Sequence, residues 1–471
     1  MRRRVIASRF GGWIDPAACF SALCGETLPA FWLDSGAGAA GALSALGIGS
    51  RVVTRSVVGT APSGGLTEWP SGELLDESVF AFLEREQRAG LAGEGVPGFP
   101  LGWIGWLGYE LHEETLATGP GRVSRYADAA FMLADRAVVF DHARREVSLV
   151  ALGDDWSGEL EEWRMATVGI LEACRDSEST AEPARAADAA REEAQVRVEW
   201  AYSEHEYGDM ILECQRSIRS GDAYQLCLTN QVSVDVHPDP VATYLTLRAA
   251  SPSHHGAFLR MAGVCVLSST PEVFLTATAD GIVESRPIKG TRRRGATPAE
   301  DRALLDELVG SEKERAENLM IVDLVRNDLS RVCAVGSVTV PHLLEVESYA
   351  QVHQLVSTVR GRLAEGSTGI DAVRACFPAG SMTGAPKLSA VRLLDALEQR
   401  PRGIYSGAFG YFGLDGRIDL AMTIRTIVID ANGATVGTGG GITALSVPEE
   451  EIEETRIKAA ALLRALGLVT L

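Results

Sequence analysis

Apolar residues recur at every second position from Tyr224 to Val234 except at Asn230, the spacing of a strand with one face buried. Just ahead, Ser203 followed three residues later by Glu206 forms a capping box that opens a helix running to Ser220-Gly221. Thr297-Pro298-Ala299-Glu300 predicts a second helix, with proline at its first position, and Ser311 to about Leu329 a third. A further helix is expected from Pro386 to about Leu397, with an apolar stripe at Leu388, Val391 and Leu394. Strands are expected over 405–414 and 422–429, ahead of a glycine run at 437–442, and a last helix runs from Ser446 towards Leu466. Residues 1 to about 150 read as short strands and turns with some helix, including two strands within 127–150 joined by a turn at Asp141-His142. The stretch 176–193 is rich in alanine, arginine and acid around Pro183, as in a linker or a surface helix. Strands come in clusters and do not alternate strictly with helices, which predicts an α+β fold with large antiparallel sheets. The expected division is an N-terminal lobe (1–175), a linker (176–199) and a C-terminal domain (200–471).

Composition narrows the function. The 471 residues carry a formal net charge of −19, which argues against general nucleic-acid binding and against an anionic membrane surface. An anionic substrate therefore needs a local positive pocket. No apolar run has the length of a membrane-spanning helix, and no apolar core follows Met1-Arg2-Arg3-Arg4, so no targeting segment is expected. The eight cysteines are scattered without a CxxC pair, as expected of reduced thiols in a cytoplasm. Residues 34–41 contain GxGxxG, but only Phe31-Trp32-Leu33 precedes them and no acid follows at the ribose distance, so a glycine-rich turn is expected.

Lysine usage carries more information. Of 44 basic residues only Lys289, Lys313, Lys387 and Lys458 are lysines. An amine can lose its proton and act as base or nucleophile, whereas a guanidinium stays charged. Lys289 sits in Arg286-Pro287-Ile288-Lys289-Gly290-Thr291-Arg292-Arg293-Arg294-Gly295, beside a hydroxyl and three arginines. That cationic run is expected to lower the amine's pKa and to hold an anion, unless it is a solvated basic loop. Glu314 and Glu317 share a helical face by their spacing, and Glu451 and Glu454 repeat it. Two such helices could build an oxygen-ligand site for Mg²⁺. Glu314 is equally placed to cap with Ser311, and Glu454 to pair with Lys458. Finally, Gly380-Ser381-Met382-Thr383-Gly384-Ala385-Pro386-Lys387 leads into a helix, so its amides and the Thr383 hydroxyl could face a carboxylate.

These segments, with Gly221–Leu228 and Ser269-Thr270-Pro271-Glu272, occur in the order found in chorismate-utilising enzymes. The chain resembles that family, and within it the branch that makes aminodeoxychorismate, over most of residues 200–460. Anthranilate synthase component I, the neighbouring branch, typically has alanine where this chain has Lys289. The resemblance implies a β-sandwich core flanked by helices, with the N-terminal lobe adding strands to the same body. It implies that Glu272 is the general acid and Lys289 the covalent nucleophile. Glu317 and Glu454 would be direct Mg²⁺ ligands, with Glu314 and Glu451 beside them. Gly290, Thr291, Thr383, Tyr411, Arg425, Gly440, Gly441 and Lys458 would bind substrate. Isochorismate and salicylate synthases carry a water-activating lysine where this chain has Gln225. Gln354 replaces a family histidine, leaving His353 one residue early, and Arg293 replaces a family proline. Leu33-Asp34-Ser35 is similar to an amino-acid effector turn, and Pro100–Glu110 to a Gly-x-x-Gly-x-x-Gly-Tyr segment whose glycines let strands approach. The implied reaction is amination of chorismate at C4, with ammonia from a separate glutamine amidotransferase, on the route to 4-aminobenzoate and folate. The alternatives are C2 amination and a catalytically silent binding subunit.

Overall fold

Alternating apolar positions build two twelve-stranded sheets, antiparallel at every pairing, in a computed structural model. It describes residues 4–26, 29–36, 43–55, 65–90, 98–119, 122–178, 196–349 and 352–468. The glycines of the GxGxxG stretch beyond Gly36, and most of 176–193, lie outside these residues. The sheets face each other across a core that takes Phe31, Ala257, Val266 and Val428 from one and Ile104, Trp106, Met132 and Phe409 from the other. Their outer faces are covered by helices and by two further apolar clusters. This is the expected α+β architecture with large antiparallel sheets.

Strands from the two ends of the chain interleave. Ala30–Asp34 pairs with His255–Met261 in one sheet, and Gly102–Leu107 pairs with Ala408–Gly413 in the other. The Gly102–Leu107 strand can lie this close only without side chains at two positions. A Cβ at Gly102 would fall 2.3 Å from Phe412 O, and one at Gly105 would fall 1.8 Å from Ala130 O.

Helix boundaries follow the caps. Ser203 and Glu206 form the reciprocal box over Glu204–Arg219, Thr297 caps Pro298–Gly310, and Ser311 caps Glu312–Ser330. The helix Lys387–Glu398 buries Ala390, Val391 and Leu394, whereas Leu388 of the expected stripe is exposed. The strand count differs from expectation in two places, two expected strands becoming three and one becoming two. Residues 127–150 hold parts of three strands (Ala129–Ala134, Arg136–Asp141, Glu146–Leu152), and the 422–429 stretch breaks between Ile418–Met422 and Thr426–Asp430. The second break falls at Arg425, whose φ of 51° no strand accommodates.

A buried polar network fixes the end of the sandwich. Arg402 pairs with Glu398 at 2.7 Å and donates to Met382 O (2.7 Å) and Cys227 O (2.9 Å). Losing one partner of such a pair would leave an uncompensated buried charge, a cost of about 3–5 kcal/mol. Glu110 holds the segment from behind by accepting the Arg402 amide at 2.7 Å and the Gly403 amide at 3.0 Å. Burial outweighs those hydrogen bonds and pushes the Glu110 carboxyl up to about 8 from the ordinary 4.5. Because the folded value is the higher one, the folded state binds the extra proton between these limits. Its contribution to stability is full below pH 4.5 and lost as pH rises through about 8. Glu110→Gln should therefore flatten the fall in Tm between pH 5 and 8.5, as measured by thermal denaturation; parallel curves for the two proteins would contradict it.

Candidate active site

One sheet supplies Gln225, at the start of Gln225–Val234, and the glycine-rich strand Gly433–Ile442 that pairs with it. The other sheet supplies Ile288–Arg293, whose register against Val352–Arg362 slips between Ile288 and Thr291. Three steps on one strand there span two on its partner, which is a β-bulge. Gly290 sits in the bulge at φ +89°, and a side chain on it would strike Leu308 and Glu314. The bulge turns Lys289 inward, and the arginines after it point elsewhere.

The expectation for those arginines is corrected here. Arg292 pairs with Glu307 (2.9 Å) and Glu314 (3.5 Å), Arg293 with Glu300, and Arg294 with Asp301 (2.7 Å). The cationic run is thus neutralised by the neighbouring helices and neither lowers the Lys289 pKa nor receives an anion. Burial alone would lower that pKa, but the carboxylates of Glu317, Glu272 and Glu454 outweigh it and hold the ammonium above its usual range. Among the described residues the Lys289 amine has no hydrogen bond or ion pair. A Cβ at position 441 would lie 3.5 Å from Lys289 Nζ and 2.1 Å from Gln225 Nε2. Lys289, Gln225 and Gly441 therefore meet at one point. The Oε1 of Gln225 is buried there with no partner.

Glu272 follows the strand Val264–Thr270 and is 7% exposed. Burial raises its pKa, opposed by the Lys289 ammonium, the Ser381 hydroxyl and the Ile288 amide. Ser381 escaped the sequence reading, which favoured Thr383 of the same loop. The Thr383 hydroxyl instead donates to Ala379 O at 3.0 Å, closing the loop on itself.

The two helices with paired acids do converge here. Lys313 Nζ stands 3.8 Å from Glu451 Oε1 across them, and Glu317 feels both Glu314 and Glu451. Glu317 is 9% exposed, makes no hydrogen bond among the described residues, and has its pKa raised by burial. Burial also raises Glu451, against the Ser446 hydroxyl that donates to it at 2.7 Å. Burial pushes Glu454 up too, but its contact with Lys458 (2.6 Å) prevails and leaves it below the usual range. Glu314 turns towards Arg292. Among the described residues no three His, Cys, Asp or Glu side chains stand close enough to enclose a metal ion alone. Glu317 and Glu454 suit a hard cation whose remaining ligands are water and substrate oxygens, since Mg²⁺ commonly takes only one or two protein carboxylates.

The glycines have separate reasons. A Cβ at Gly440 would fall 2.9 Å from Glu451 Oε2, and one at Gly439 would fall 2.4 Å from Leu228 O. Lys458 anchors the same strand by donating to Gly439 O at 2.7 Å. Arg425 is half-buried and, among the described residues, its guanidinium makes no hydrogen bond or ion pair, which leaves it open to a carboxylate. Its titratable neighbours are the Tyr405 phenol and the Glu454 carboxylate.

Tyr411 needs correction. Its strand alternates, so Tyr411 falls with Phe409 on the face towards the inter-sheet core and packs edge-on against Phe99 at 5.3 Å. Tyr405, from the turn before that strand, lies beside Arg425 instead, its ring filling the space a Gly437 side chain would take. The only signal for it was the glycine-flanked segment Gly403-Ile404-Tyr405-Ser406-Gly407. Thr291 is exposed, beyond the bulge. His353 is tied to Asp301 (3.0 Å) and Ser348 (2.7 Å), away from the cluster.

Comparison with known proteins agrees with this geometry. The family model described as chorismate binding enzyme matches residues 37–464. Aminodeoxychorismate synthase of Streptomyces griseus is 44% identical over 99% of this chain, which spans 64% of that longer relative. Anthranilate synthase component 1 of Streptomyces coelicolor is 36% identical over 96% of this chain and 86% of its own length. The crystal structure of anthranilate synthase component I from Streptococcus pneumoniae superposes with a TM-score of 0.76 at 28% identity, covering 97% of this chain and 98% of that one. The chain belongs to the chorismate binding enzyme family.

Proposed function

We propose that the chain converts chorismate and ammonia to 4-amino-4-deoxychorismate through a covalent bond to Lys289. The observation that carries this reading is the bulge, which delivers an otherwise unpartnered amine to a pocket containing Glu272, Gln225 and Gly441. Longer relatives named aminodeoxychorismate synthase support it.

The free site holds Lys289 as an ammonium, while nucleophilic attack needs the neutral amine. Moving one proton from Lys289 to Glu272 yields both productive forms together, a neutral amine and a protonated acid, with no change in total charge. Arg425 clamps a substrate carboxylate. Glu317 and Glu454 would hold Mg²⁺, which when bound offsets their field on Lys289 and neutralises a substrate carboxylate. The Lys289 amine adds at C2 as the two conjugated ring double bonds shift and the C4–O bond breaks. The Glu272 proton leaves with that oxygen as water. Ammonia then adds at C4, the C2–N bond breaks and returns neutral Lys289, and the surplus proton on nitrogen goes back to Glu272. Gln225 offers its unpartnered Oε1 to an N–H of ammonia and supplies no base for water.

A glutamine amidotransferase outside these residues would deliver the ammonia. Glutaminase chemistry needs a reactive thiolate, and burial pushes the Cys24 and Cys214 thiols up to about 12. A reducing cytoplasm fits eight cysteines that form no disulfide among the described residues. Among the described residues no helix is long and apolar enough to cross a membrane.

Purified protein with chorismate, Mg²⁺, an ammonium salt and an added aminodeoxychorismate lyase should yield 4-aminobenzoate, detected by chromatography. Anthranilate as the product would favour C2 amination, the activity named for the anthranilate synthase relatives. Chorismate binding without turnover would favour a silent subunit. Substituting Glu317→Gln should weaken Mn²⁺ binding at least about tenfold in an electron paramagnetic resonance titration, with Glu314→Gln changing it much less. Equal effects would place the cation elsewhere. Activity should also be bell-shaped in pH, since the productive pair carries one shared proton and loses function when it gains or loses one.

A further inference from the structure

Three of the four lysines belong to the carboxylate cluster, and Lys387 does not. Lys387 is 7% exposed; its Nζ lies 2.6 Å from Asp328 Oδ2 and donates to Cys376 O at 2.6 Å. Asp328, 4% exposed, comes from the same helix as Glu317, while Lys387 begins Lys387–Glu398. The pair closes one side of a cavity of about 20 Å³, roughly the size of one water. Glu272 forms another side of that cavity, with Ser285, Cys376, Gly380 and Ser381 between. Asp328 lines the cavity and Lys387 stands behind it, so the negative end of the pair faces the general acid.

On the reading of Glu272 as the acid, we infer that Asp328–Lys387 is a positioning pair that favours the protonated form of Glu272 across this cavity, and so the proton transfer from Lys289. Burial raises the Asp328 carboxyl and the Lys387 ammonium opposes that rise; a charge on Asp328 disfavours a second anion at Glu272. The charged and titratable groups facing Glu272 from other elements are Lys289 and Lys458, which favour its carboxylate, and the neutral Cys376 thiol. Arg331 adds a cation on the Asp328 side. Asp328 is the negative charge on the cavity itself. A lysine serves here because its single ammonium meets a carbonyl and a carboxylate in a space too small for a planar fork.

The test is the pH profile of kcat with ammonium, whose acidic limb reports loss of the first proton from the Glu272–Lys289 pair. Asp328→Asn should move that limb to lower pH by roughly one unit. Asp328→Glu, which carries the charge further into the cavity, should move it upward and retains the ion pair should Asp328→Asn fail to fold. A limb that stays in place in Asp328→Glu, with only kcat or Tm reduced, would overturn the inference and leave a structural clamp. Full activity in Glu272→Gln would instead overturn the reading of Glu272 beneath it.

Discussion

Charge balance in a partly enclosed pocket governs the arrangement. An isolated ammonium or carboxylate in a protein interior costs far more than folding can supply, so buried charges must come as compensated sets. Here the ammoniums of Lys289, Lys313 and Lys458 interdigitate with Glu272, Glu317, Glu451 and Glu454 from two sheets and two helices. A chain of net charge −19 thereby gathers three of its four lysines among these carboxylates. The same balance has a chemical consequence, because the fields that make Lys289 tolerable also keep it protonated. Activating it requires relief of that field and a nearby group able to accept the proton, and Glu272 is such a group.

Rigid backbone makes this set possible. The Gly439–Gly441 stretch leaves room for Glu451 and Gln225, the bulge at Lys289–Gly290 turns one amine inward, and Arg402 ties the strand of Gln225 to the Gly380 loop. Each device is a backbone conformation or a main-chain hydrogen bond, so the catalytic side chains rest on strands and on helices packed against them.

Much of this was legible in the sequence, for physical reasons that also mark the limits. Caps and periodicity depend on neighbours a few residues away, so Ser203, Thr297 and Ser311 located their helices. Scarcity made Lys289 visible, and spacing made the two glutamate pairs visible. What the sequence hid was direction. A one-residue bulge decides where Lys289 points, and three adjacent arginines look like a substrate pocket until the acids of the next helix are seen to occupy them. Strand parity sent Tyr411 to the core, and the turn before that strand set Tyr405 against Gly437 and beside Arg425. The resemblance to chorismate-utilising enzymes located the site but could not show which hydroxyl of the 380–383 loop faces it. Ser381 and the Asp328–Lys387 pair emerged only when helices distant in sequence were brought together.

The central claim is that Lys289 bonds to the substrate ring. The direct measurement is mass spectrometry of the protein quenched after mixing with chorismate and Mg²⁺ in the absence of ammonium. The account predicts a Lys289 peptide heavier by one chorismate less one water, which disappears when ammonium is added before the quench. Unmodified Lys289 peptide, together with undiminished aminodeoxychorismate formation by Lys289→Ala, would contradict it.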